Sequence, residues 1–318
     1  MRYSVLRACL VLLGIVQWAG CSRPPAEPVR PPFRVRVVLQ EPVGRALSAD
    51  VEALEKRLQG QFGLDASRVV VEAPRDRRGA LRRLGEDGIE LVIALGVPLG
   101  RQARAEAMLH PESAFISQVG PPREPNLAVL NFQRDGAAYL AGVAAALAGG
   151  SRVGVVSDAG ETPSSSLVSS FRRGCRSRVV AARIEVVTGP DGVRELARRG
   201  VRVAFYTGER LLPEILAAAE TSGLDLIVSG SERPETTPDV VLATIEIDLV
   251  EALVRITRDV LDGTFGGREY RFDLGSGVVD LKLEPRFVSM AGRDAVEALE
   301  EARAAVNAGM VEVEVLGL

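Results

Sequence analysis

Cysteine, histidine, lysine and aromatic residues are all scarce in this chain of 318 residues, and each scarcity removes a class of function. There are 3 cysteines and 1 histidine. No CxxC pair, no HExxH and no Asp-rich calcium loop occurs, so metal-ligand spacing is absent. A histidine-dependent nucleophile would have to use His110, which precedes Pro111, and no Ser or Cys motif marks a partner for it. Neither GxGxxG nor a P-loop is found; Gly96 to Gly100 offers an isolated glycine pair. No catalytic residue and no cofactor is expected. Lysine is confined to Lys56 and Lys282, and the arginines are scattered among acids at a net charge of −3. That distribution has no basic stripe for nucleic acid. Beyond the amino-terminal leader no stretch is long and apolar enough to span a bilayer. What the chain does have is 47% hydrophobic residues, enough for the cores of two lobes.

The start of the chain reads as a secretory leader. Arg2 and Arg7 precede an apolar run from Ala8 to Ile15, followed by Ala19-Gly20-Cys21. The last three resemble a lipobox, which makes 1–20 a signal peptide and Cys21 the lipidated residue. Trp18 stands where that motif has a Leu-like side chain, and ordinary cleavage near Ala19 with Cys21 incidental is the alternative. With Cys9 in the leader, Cys175 is left alone, so no internal disulfide is available. Residues 21–32, Pro-rich and extended, form a tether between membrane anchor and fold.

From Phe33 onward, short β-branched runs alternate with helical segments, the pattern of parallel sheets covered on both faces. The centre of this pattern is Asn126 to Gly160: an apolar strand, a helix of small residues from Gly136 to Ala148 ended by Gly149-Gly150, and a second strand from Arg152 to Ser157, together the crossover unit of a parallel sheet. Gly142 in the middle of that helix costs about 1 kcal/mol against alanine and calls for a close contact. The expected division is a first lobe over 33–150, completed by 247–275, and a second over 151–246, completed by 276–318. Val311 to Val315 is a candidate edge strand.

Two segments carry a family likeness. FQRDGAAYLAG, followed by a Gly pair and VGVVSD, resembles the signature of the basic membrane protein family, the PnrA-like lipoproteins that bind substrate for nucleoside ABC transporters. PDVVLATIEIDLVEALVRITRDVLDGTFGG resembles the terminal strand, helix and G-x-F-x-G-G turn of the same family. The resemblance implies an α/β fold of two doubly wound parallel-sheet lobes with multiple hinge crossovers, the type I periplasmic-binding-protein architecture. It also implies an extracytoplasmic lipoprotein with a nucleoside-like small molecule as ligand and an ABC permease as partner. Several of the family's anchors are replaced. Pro42-Val43-Gly44-Arg45-Ala46 occupies the place of an Asp-Lys-Ser-Phe-Asn-like run, Ser229-Gly230-Ser231-Glu232 that of G-V-D-x-D-Q, and Ile247 that of a Lys.

Ligands of open α/β sheets bind beyond the carboxyl ends of the strands. The loops there supply the candidates: Arg45, Gly96, Phe132 and Gln133 in the first lobe, and Asp158, Tyr206, Gly208, Glu209, Ser231 and Glu232 in the second. Phe132 and Tyr206 are the aromatic platforms, and the others provide polar groups or turns. Each has a structural alternative. Phe132 also suits a core position at a strand end, Tyr206 a cap on its sheet, Asp158 and Glu232 solvated loops, and Gly96 and Gly208 turns. The replaced anchors keep a second function open, an envelope lipoprotein of the same fold acting as sensor or protein-interaction module.

Overall fold

The computed structural model describes residues 32–208, 211–230, 238–311 and 313. The chain runs β1 (Arg34–Gln40), α1 (Arg45–Phe62), β2 (Asp65–Val71), α2 (Arg77–Glu86), β3 (Leu91–Ala94), α3 (Val97–Leu109), β4 (Ala114–Ser117) and β5 (Leu127–Phe132). It continues as α4 (Asp135–Gly149), β6 (Arg152–Ser157), α5 (Ser165–Arg178), β7 (Arg183–Thr188), α6 (Gly189–Arg198), β8 (Val203–Tyr206), α7 (Pro213–Ser222) and β9 (Asp225–Val228). It closes with β10 (Val241–Ile247), α8 (Leu249–Leu261), β11 (Glu269–Phe272), β12 (Val279–Leu283), α9 (Pro285–Ala291) and α10 (Arg293–Asn307). The leader, Cys21 and all of the tether but its last residue lie outside the described residues, as do the outer positions of the expected edge strand from Val311 to Val315. No helix among the described residues is long and apolar enough to cross a membrane.

The strands form two six-stranded sheets, β11-β5-β4-β3-β1-β2 and β12-β10-β9-β8-β6-β7. The first is parallel throughout. The second is parallel except at its edge, where β12 runs antiparallel to β10. Strands β3, β4, β8 and β9 are buried along their whole length, which is why they read as continuous apolar runs rather than alternating ones. Residues of α1 and α8 pack over one face of the first sheet, and those of α2 and α3 over the other. The second sheet lies between α4, α5, α9 and α10 on one side and α6 and α7 on the other. Both sheets belong to one compact unit.

The chain passes between the sheets three times: from β5 into α4, from β10 into α8, and from β11 to β12. The first passage corrects the sequence reading. The segment from β5 to β6 was expected as one crossover unit, with α4 ending the first lobe at residue 150. Instead β5 and β6 belong to different sheets, and α4 packs against α5, α10 and the strands of the second sheet. Its residues are buried without a break from Gly136 to Ala146. The reason is the glycine pair at the α4–α5 crossing. A Cβ on Gly142 would overlap the Phe171 carbonyl, and one on Gly174 would overlap the Tyr139 carbonyl. Two backbones in such contact exclude side chains larger than hydrogen at both positions.

Candidate functional site

Strands β1, β3, β4 and β5 end on one side of the first sheet, where α1, α3 and α4 begin, and α8 enters from the second crossing. A cavity of about 530 Å³ opens there. Its apolar wall is Leu47, Val97, Leu130, Phe132, Ile247 and Leu249; Asp50, Gln118, Asn131 and Arg134 supply polar groups. Among the lining residues Ile247 alone comes from a strand of the second sheet. Phe132 sits on the first crossing, half-buried, stacked on Phe272 with ring centroids 5.9 Å apart. It touches the core clusters of both lobes, as does Ile247. The hinge and the cavity wall are therefore built from the same side chains.

The polar groups are partly committed. Gly96, at φ 98° in a conformation that favours glycine, turns its N–H onto the Gln118 side-chain carbonyl at 2.8 Å. That leaves the Gln118 amide hydrogens without a bond to the described residues. The Asn131 amide donates to Glu269 at 2.7 Å, leaving its carbonyl oxygen toward other partners. Glu269 is held below the usual carboxylate range by its bond from Arg271 and then by Asn131, so it accepts as an anion. The cavity thus offers both a donor and an acceptor beside an apolar wall, the composition of a small-molecule site.

Of the residues expected from sequence, Gly96 and Phe132 line this cavity. Gln133 is half-buried on the crossing, with its backbone N–H bonded to the Phe272 carbonyl at 2.8 Å, and is not in the wall. Arg45 is exposed at the start of α1 and has an interaction of its own. The second lobe departs further. Tyr206 is fully buried in the core beneath α6 and α7, so its ring has no free face for stacking. Its hydroxyl donates to the Asp158 carboxylate, and burial, then that carboxylate, push its pKa up. Gly208 is buried where a Cβ would strike the Tyr206 ring and hydroxyl, so it serves packing. Asp158 is half-buried and tied to Tyr206. Glu209, Ser231 and Glu232 lie outside the described residues. Ser229, which follows β9, has a buried hydroxyl without a hydrogen-bond partner among the described residues.

Sequence reasoning did not single out Asn131, Gln118, Leu47 or Leu249; Arg134 lies in the loop Gln133 to Asp135 that it named after Phe132, and Ile247 stands where the resembled family has a Lys. Gln118 and Arg134 had a usable signal, since each follows the end of a strand in the first sheet. Leu249 had none, because its place depends on the second crossing.

His110 is remote from this wall. It caps α3 with Nε2 3.6 Å from the buried carboxylate of Glu106, which Arg78 approaches at 3.5 Å from α2. Gly85 makes room for its ring. The arrangement sets a buried carboxylate between a histidine and an arginine beneath the α2–α3 face, with no hydrogen bond to it among the described residues. Cys175 is buried, and burial pushes its thiol up to about 12, far from a reactive thiolate. No group of three metal-ligating side chains forms among the described residues.

No family model and no curated protein matches the chain. Solved structures do. An ABC transporter solute-binding protein from Conexibacter woesei DSM 14684 aligns with TM-score 0.69 at 16% identity, over 88% of this chain and 98% of its own. A transcriptional activator of the comK gene from Bacillus halodurans aligns with TM-score 0.74 at 16% identity, over 86% and 97%. An ABC transporter solute-binding protein from Aeropyrum pernix K1 aligns with TM-score 0.62 at 15% identity, over 88% and 93%. The fold is the type I periplasmic-binding fold. In this chain a cavity with both apolar and polar lining opens at the strand ends of the first lobe. Among its described residues, the second lobe ties its candidate aromatic and carboxylate to each other.

Proposed function

We propose that the chain is an extracytoplasmic solute-binding protein that holds a small molecule at the mouth between its lobes and presents it to an ABC permease. The observation that carries this reading is the cavity at the strand ends of the first lobe, walled by the hinge residues Phe132 and Ile247. A ligand stacked on Phe132 would contact the group on which both lobe cores converge, so its binding energy would favour one lobe arrangement over another. Capture without catalysis suits a wall of apolar side chains, two amides, one carboxylate and one guanidinium. The lipobox-like Ala19-Gly20-Cys21 supports attachment to a membrane through lipidated Cys21. The family resemblance makes nucleoside-like compounds the first cargo to test.

Thermal unfolding of the full-length chain in the presence of purine and pyrimidine nucleosides, sugars and small organic acids tests the reading. A bound compound at about one hundred times its Kd adds about 2.7 kcal/mol of stability, a shift of several degrees. No shift for any compound at about millimolar concentration would overturn solute capture. Phe132→Ala should abolish the shift while the chain stays folded. Cys21→Ala should release the protein from the membrane fraction if the anchor is a lipid.

A second reading is a non-transport envelope protein of the same fold, acting as sensor or interaction module. The Tyr206–Asp158 bond favours it, because it commits groups that a two-sided clamp would use. Ligand-independent retention of an envelope protein other than a permease, lost on surface substitution of the second lobe, would support it over transport.

A further inference from the structure

Among the described residues, the one cation in the cavity wall is Arg134, half-buried at the residue that precedes α4. Its backbone carbonyl accepts the Ala138 N–H at 2.8 Å, so the position is fixed by the helix it starts. Its guanidinium has no hydrogen bond or ion pair with any described residue. Several arginines elsewhere on the first lobe are paired, Arg34 with Glu90, Arg36 with Asp65, Arg57 with Glu251 and Arg68 with Glu55; what distinguishes Arg134 is its place in the cavity wall. Asp50 shares the wall, but it has a different interaction and does not pair with Arg134. A guanidinium half-buried in a cavity wall without a partner has donors that an anionic ligand can complete.

The surroundings favour an anion as that partner. Helices α1 and α3 both begin at the cavity without an acidic residue in the first turn, so the positive ends of their dipoles are uncompensated there, whereas α4 and α8, which also begin beside it, carry Asp135 and Glu251. The free amide hydrogens of Gln118 add a neutral donor. Opposing these donors is the apolar wall of Phe132, Leu130 and Leu249.

We propose that the solute bound in this cavity carries a carboxylate or phosphate group set against Arg134, with a planar or aliphatic body against Phe132. The inference rests on the cavity being the binding site, and adds that its ligand is an acid rather than a neutral sugar or free nucleoside.

Equilibrium dialysis of the full-length chain against an equimolar mixture of neutral sugars, nucleosides, aliphatic and aromatic carboxylates, and nucleoside and sugar monophosphates tests it, with retained compounds identified by mass. Retention confined to acids is the expected result, and the carboxylate and phosphate arms identify the headgroup. Arg134→Gln should weaken binding of a retained acid by about tenfold or more, the scale of one charge-assisted bond. Arg134→Lys, which keeps the charge without the planar fork, should fall between. Neutral compounds retained equally by wild type and Arg134→Gln would overturn the assignment of charge and leave solute capture standing. Retention of nothing would overturn both.

Discussion

Two buried groups set how this protein responds to alkali. Burial holds the Cys175 thiol neutral, raising it from an ordinary value of 9.0 to about 12. Burial and Asp158 raise the Tyr206 hydroxyl from its ordinary 10.0. In each case the unfolded chain ionises first. Stability from these groups is therefore complete below the unfolded-state value and is lost as pH climbs toward the folded-state one. Unfolding free energy should begin to fall above about pH 9, with a slope of up to about 1.4 kcal/mol per pH unit from Cys175, and Tyr206 adding to it above about pH 10. Urea unfolding of wild type and Cys175→Ala between about pH 8 and about pH 11 measures this. The variant should start less stable because its side chain is smaller, yet lose stability more slowly through that range. Parallel slopes would mean that the thiol ionises equally easily in both states. The same tyrosine shows how a strand-end residue expected at the cleft can lie in the core. In β8 every residue is buried because helices cover both faces, so strand parity gives no sign of which side chain meets the cleft. Phe132 was legible because it ends an apolar run at a crossing. Arg134 and Gln118 are single polar residues whose significance depends on which strand ends lie beside them.

At the level of elements, the α4–α5 contact decides how the second lobe is assembled. The small-residue helix and its central Gly142 were visible in the sequence, and so was the requirement for a close neighbour. The neighbour's identity was not, because Gly174 lies in a helix whose own composition is ordinary and charged on one face. Strand and helix alternation is legible in the sequence, but α9 is not: seven residues starting at Pro285 are too few to show a helical period. The reciprocal glycines lead to a specific expectation. Gly142→Ala and Gly174→Ala should each cost about 1–3 kcal/mol, since a Cβ at either site meets a backbone carbonyl that cannot rotate away. The double variant should cost less than the sum, because one displacement of the helices relieves both overlaps. Denaturant midpoints of the three variants provide the comparison. Alanine tolerated at both positions, with no change in midpoint, would show that the helices separate freely.

For the whole molecule, the three crossings make the lobes incomplete as stretches of chain. The first sheet needs β11 at its edge and α8 over its face, both supplied from beyond residue 240. The second lobe needs α4, supplied from before residue 150, as the centre of its largest core cluster. A division at 150, natural from the sequence because Gly149-Gly150 end a helix there, would thus leave a first fragment lacking an edge strand and a covering helix. That fragment would also present α4, buried from Gly136 to Ala146 in the intact chain, to water. Removing such surface from water is the main source of folding free energy, about 25 cal/mol per Å², and exposing it favours aggregation. Fragments 33–150 and 151–318 expressed separately should lack cooperative thermal transitions, whereas the two expressed together should recover one. Circular dichroism melts of each fragment and of the pair decide this. A cooperative melt from 33–150 alone would mean that α4 can be stabilised without the second sheet, and that the hinge joins two independent domains instead of one interleaved core.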